Sequence, residues 1–173
     1  MKIESPAFTD AYYNEVIGGY FERERQEIIA RLRRIADDTD ALVPSLPATG
    51  TSDDPDWNAV ETLAHISISA QFFGWVIHEV AKEHDIGERM LGLMNLRDPS
   101  MVDAVRQEPA DLARQLRDGL ERTIAFLEKT GIDELRNTIA FAGRQLSAWD
   151  FTRVSVVQHL EDHVEQMRAA AGG

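Results

Sequence analysis

The sequence predicts an all-α fold, a single four-helix bundle occupying residues 1–173. Three observations lead there. Four long segments carry apolar residues at helical spacing, and clusters of Pro, Gly, Ser, Thr and Asp separate them. The chain has 173 residues and is 43% hydrophobic, which is enough to bury one core without disulfides or metal staples.

The first helix is expected from Thr9 or Asp10 to about Asp38, with Tyr12, Val16, Tyr20, Ile28, Leu32 and Ile35 on one stripe. A Pro-, Ser- and Thr-rich loop from Pro44 to Pro55 follows and reads as a surface connection. The second helix starts after Asn58, which with Glu61 makes an approximate capping box. Its seam is Leu63, Ile66, Ala70, Phe73, Ile77 and Val80, and Gly87 is its expected stop.

Residues 86–108 show little periodicity apart from room for a short helix. At ~20 residues this connection is longer than adjacent antiparallel helices need, and it suits a crossover. The third helix spans Pro109–Thr130, with Leu112, Leu116, Leu120, Ile124 and Leu127 inside. Asn137–Leu146 reads as a small extended turn. The fourth helix opens at Ser147, with Asp150 completing a capping box, and runs to about Ala170 on Val157, Leu160, Val164 and Met167.

Composition excludes several chemistries. The absence of cysteine removes disulfides, thiolate metal sites, Fe–S clusters and a cysteine nucleophile. A formal charge of −12 disfavours nucleic acid as a partner, because phosphate contacts need a basic surface. The most apolar stretch, Leu63–Ala81, is interrupted by His65, Gln71, His78 and Glu79, so no membrane span is expected. No basic flank precedes an apolar core near the N-terminus, and a cytoplasmic location is therefore expected.

The five histidines carry the chemical information. His159 and His163 are four residues apart, which leaves ~40° between side chains one turn apart on a helix. Two imidazoles so placed can converge on one divalent cation, although ordinary helical neighbours share the same spacing. His65 lies two turns inside the second helix on an apolar face. There it is either a core histidine bonded to a nearby hydroxyl or carbonyl, or a third ligand. Burying its ring nitrogens without partners costs ~1–3 kcal/mol.

Heights along the bundle connect the three. His65 is ~10 Å from the start of its helix, while His159 and His163 are ~10–16 Å from the end of theirs. Antiparallel second and fourth helices bring the rings level, which implies up-down-down-up topology with a long crossover between helices two and three. The 86–108 segment supplies one. His78 lies ~220° around the helix from His65, on a face with Gln71, Trp75 and Lys82. His84 is near the helix end, and both are expected to be structural. Gln166 is expected at the rim of the histidine site, while Asp162 lies ~100° around the helix from His163, which leaves a supporting role there open. Glu24 faces either a polar cavity or solvent, while Phe72 and Trp75 are candidates for an interface.

Other motifs fail on residue identity. A zincin needs Glu directly after the first His, where this chain has Leu160, and the inverted motif finds Asp162 in place of Glu. No Glu-x-x-His pair of the di-iron type, phosphate loop or nucleophile elbow is present.

Two stretches carry a family resemblance: Trp57-Asn58-Ala59-Val60-Glu61-Thr62-Leu63-Ala64-His65-Ile66 and His159-Leu160-Glu161-Asp162-His163-Val164-Glu165-Gln166. Together they resemble the DinB-like superfamily, which includes YfiT-like proteins and the N-terminal domain of mycothiol-dependent maleylpyruvate isomerase. The resemblance implies an up-down-down-up bundle, often a homodimer, with His65, His159 and His163 as ligands of a divalent metal. Zinc or nickel is the first expectation and iron the next. It also implies S-transfer or isomerisation of a small molecule with an external low-molecular-weight thiol. The alternative is a non-catalytic module that binds metal or dimerises.

Overall fold

The structure, a computed structural model, describes residues 10–46, 57–95, 97–141 and 143–171. Most of the loop expected before Pro55 lies outside these residues. The chain folds as α1 (Asp10–Leu42), a 3₁₀ turn (Val43–Ser45), α2 (Ala59–Ala81), α3 (Gly87–Asn95), α4 (Arg97–Ala104), α5 (Pro109–Lys129) and α6 (Ile132–Leu135). Strands β1 (Thr138–Phe141) and β2 (Arg144–Ser147) follow. Then come α7 (Ala148–Asp150), a π-helical stretch (Phe151–Gln158) and α8 (His159–Ala171). The fold is thus mostly helical, with one small antiparallel sheet.

Local sequence explains the element ends. Asn58 caps α2: its side chain accepts from the Glu61 amide, and the Glu61 carboxylate accepts from the Asn58 amide, each at 2.9 Å. Ser147 and Asp150 form the equivalent pair at the start of α7. Gly87 does not end the second helix but opens α3. The stop comes earlier, at Ala81, where the His84 and Glu83 amides donate back to the Glu79 and Val80 carbonyls. Glu83 takes the left-handed conformation that this cap requires, with φ 57°, a position glycine usually fills. In the hairpin, Thr138 faces Ser147 and Phe141 faces Arg144, with Gly143 turning at φ 74°.

Helix directions follow from which residues meet. Arg25 of α1 donates to the Leu127 carbonyl, and Arg117 reaches Asp37 and Asp40, so α1 and α5 run antiparallel. Trp149 donates to Glu24, Arg31 to Glu161 and Arg168 to Asp38, so α1 and the C-terminal helical segment run parallel. Ser67 donates to the Leu112 carbonyl, and a Cβ on Gly119 would touch Ala70, which makes α2 and α5 parallel. Trp57 lies beside His163 while Phe73 lies beside His159, which makes α2 and the C-terminal segment antiparallel.

The core forms where these helices meet. Leu32, Leu63, Ile66, Leu116, Leu120 and Leu160 are fully or almost fully buried, each contributing ~1.5–3 kcal/mol relative to exposure. The α1 stripe begins later than its spacing predicts. Tyr12 and Tyr20 are exposed, and burial starts at Phe21, whose ring packs against Trp149 at 4.6 Å. The helix also continues four residues past Asp38, because Asp37 and Asp40 are held by Arg117. The 86–108 connection holds two short helices, α3 and α4.

Candidate metal centre

His65 sits in the second turn of α2, 4% exposed, on the face that packs against the C-terminal helical segment. Across from it, His159 is the first residue of α8 and His163 follows one turn later, both half-buried. The π-helical stretch leads directly into His159. Its buried residues step by five, from Phe151 to Val156 and from Thr152 to Val157.

The three imidazoles converge. The Nε2 atoms of His65 and His159 lie 3.0 Å apart, although the residues are 94 positions apart in sequence. One ring nitrogen from each of His65, His159 and His163 lies within 4.8 Å of the others, so the group could hold a metal ion. Ring centroids are separated by 4.5 to 5.1 Å, and the planes meet nearly edge to face. The donor set suits a borderline divalent cation, because all three donors are imidazole nitrogens.

Neighbouring side chains fix the rings. His163 Nδ1–H donates to Gln166 Oε1 at 2.8 Å, which leaves Nε2 as the ring nitrogen that could hold a metal ion. Gln166 therefore has the position expected of it. Trp57 packs beside the cluster, with its ring centroid 4.6 Å from that of His65 and 6.2 Å from that of His163. Ser69 Oγ lies 3.4 Å from His65 Nε2. Asp162 turns away and accepts from Gln158 at 2.8 Å. Glu161 is engaged by Arg31 through two bonds of 2.5 and 2.8 Å, which raises the Arg31 pKa above its ordinary value.

The remaining histidines stand apart, His78 as its helical phase predicts and His84 beyond the end of α2. His78 and His84 each bond Glu79, at 3.0 and 2.9 Å. Hydrogen bonds from His84 and then His78 hold the Glu79 carboxyl below its usual range. Glu24 accepts from Trp149 and pairs with Arg153 in a polar cavity between α1 and the C-terminal segment, away from the histidines.

A cavity of about 490 Å³ opens beside the cluster. His65, His159 and Ser69 form one end, and Phe72, Phe73 and Trp75 form much of its wall. Gln71 and Trp75, expected on an outer face, and Phe72, a candidate for an interface, line this cavity, Gln71 exposed and the two aromatic residues half-buried. Helices α3 and α4 fold back over this side of α2 and add Arg89, Leu93 and Ser100 to the lining. Sequence reasoning missed those three residues, since 86–108 lacks a regular apolar period. The Arg89 guanidinium stacks over the Trp75 ring, 4.7 Å from its centroid.

A helical scaffold that gathers three imidazoles beside an apolar cavity, with His65 and His159 in its lining, defines a class of candidate metal-binding proteins. The sequence pattern of the DinB superfamily matches residues 20–167, a span that includes all three histidines, and the chain belongs to that superfamily. No curated protein and no solved structure matches the chain. Among the described residues, no helix is long and apolar enough to cross a membrane.

Proposed function

We propose that this protein is a metal-dependent S-transferase in which His65, His159 and His163 hold one divalent cation. The observation that carries the reading is the gathering of three imidazole nitrogens within 4.8 Å at the end of a ligand-sized cavity. Zinc or nickel fits the all-nitrogen donor set first, and iron next. Helix directions support reading α1, α2, α5 and the C-terminal helical segment as a four-helix bundle with up-down-down-up topology. We also propose a homodimer and a cytoplasmic location. Sedimentation at micromolar concentration and cell fractionation test these two points.

When bound, a divalent cation supplies Lewis acidity and favours the deprotonated form of a thiol beside it. The chain lacks cysteine, so the thiol is a small molecule that enters from solution. His163, whose Nδ1 is held by Gln166, has Nε2 as the nitrogen that could hold the ion. Phe72, Phe73 and Trp75 exclude water around an electrophilic substrate and hold it next to the sulfur. In the reaction, the thiol loses its proton to solvent and its sulfur forms a bond to the electrophilic carbon; the bond from that carbon to its leaving group breaks, and the leaving group departs with the electron pair and takes a proton from solvent.

The test has two stages. Elemental analysis of protein purified without added metal should give about one divalent ion per chain, with near-complete loss in His65→Ala and His163→Ala. Thiol-dependent consumption of model electrophiles is then followed with the loaded protein. Full metal retention in either variant defeats the ligand assignment. Metal binding without any thiol consumption defeats the transferase and leaves a non-catalytic metal-binding module.

A further inference from the structure

The cavity has two chemically different ends. At the inner end are the histidines, and along the wall are aromatic rings, with Phe72 and Phe73 centroids 5.0 Å apart and Phe72 and Trp75 6.2 Å apart. At the outer end is Arg89, in the first turn of α3. In a chain of net charge −12, most of the ordered arginines that reach across to another element pair with carboxylates: Arg31 with Glu161, Arg117 with Asp37 and Asp40, Arg153 with Glu24. Arg89 forms no ion pair with any described residue, although Asp85 and Glu88 share its surroundings. Its guanidinium is held instead over the face of Trp75, a cation–π contact that fixes the plane while leaving the N–H edges available.

We propose that Arg89 is the anion anchor of this cavity, and that the cavity takes a carboxylic acid with an aromatic or alkyl body. A guanidinium presents paired N–H donors that match the two oxygens of a carboxylate. The apolar wall between Arg89 and the histidines sets the body of the ligand. The volume of about 490 Å³ leaves room for a second small molecule at the histidine end. This inference deepens the proposed transferase by naming its substrate class, and it rests on that reading for the claim that the acid is a substrate. The anchor itself depends only on the cavity and Arg89.

The experiment compares 4-phenylbutyrate with 4-phenylbutan-1-ol by calorimetry on the full chain as purified, and again after metal is stripped with chelator. The acid should bind about tenfold more tightly than the alcohol, as expected for a charge-assisted pair at a partly solvated site. Arg89→Gln should bring the acid to the alcohol's affinity and change the alcohol less than twofold. Arg89→Lys should fall between the two. An acid preference that survives Arg89→Gln, or that disappears when the metal is stripped, overturns the anchor. So does the lack of any preference, or of any binding, in the unmodified protein. Should the purified chain hold no metal while the Arg89-dependent preference remains, the metal reading falls and the anchor stands.

Discussion

His163 Nδ1 and Gln166 Oε1 are joined by a 2.8 Å hydrogen bond across one turn of α8, and this bond takes up one of the two ring nitrogens. The amide oxygen can only accept, so Nδ1 carries a proton and Nε2 is the nitrogen that could hold a metal ion.

Gln166→Leu should therefore weaken zinc binding about tenfold while leaving the fold intact, since Gln166 is exposed. Competition against a fluorescent chelator measures this. An affinity within twofold of the parent would mean that Gln166 does not position the ring.

Metal should stabilise the folded chain measurably. Zinc at ~100 times its dissociation constant adds about 2.7 kcal/mol, a rise of roughly 5–10 °C in melting temperature for a domain of this size. A thermal scan with zinc and with chelator reads the difference. His159→Ala should melt at the same temperature in both.

Gly74 marks a close approach of α2 to α5. A Cβ built there would lie 2.7 Å from Thr123 Oγ, and that hydroxyl is buried and bonded to the Gly119 carbonyl at 3.1 Å. Alanine gains up to ~1 kcal/mol in helix propensity, but overpacking costs ~1–3 kcal/mol, so Gly74→Ala should be a net loss of about 1 kcal/mol. Adding Thr123→Ala removes the clashing oxygen and should recover part of that loss in urea unfolding. A single variant as stable as the parent would contradict the packing described.

The Glu79 carboxyl, held below its usual pKa by His84 and His78, contributes stability above the unfolded value of about 4.3. That contribution is lost as pH falls through the lower folded value. Glu79→Gln should cost up to ~1 kcal/mol at pH 5.5, and the gap between the two proteins should close as pH falls below the ordinary carboxylate range. Parallel urea titrations check the sign, since a gap that widens in acid would reverse it.

The legible parts of the sequence were those governed by period and spacing. Leu112 to Leu127 and Val157 to Met167 lie buried where their helical period places them. Helix heights counted from the sequence bring His65 level with the C-terminal pair, as in the structure. Misreadings occurred where tertiary contacts override local pattern. Tyr12 and Tyr20 keep the phase of the α1 stripe but face solvent, because burial on this helix begins only at Phe21. Gly87 looked like a stop, yet Glu83 took the left-handed cap position four residues earlier. The five-residue steps of the π-helical stretch are visible in Phe151, Val156, Thr152 and Val157, but they are masked when the helix is assumed regular.

The cavity is assembled from two separate parts of the chain. Its reactive end belongs to α2 and α8, whereas Arg89, Leu93 and Ser100 come from the short helices of the crossover. The proposed anion anchor is consequently carried by the connecting segment, and the aromatic wall and the imidazoles by the long helices. Exchanging residues 86–104 for another sequence of similar length would change the polar group the cavity favours while its aromatic wall and imidazoles stayed where they are.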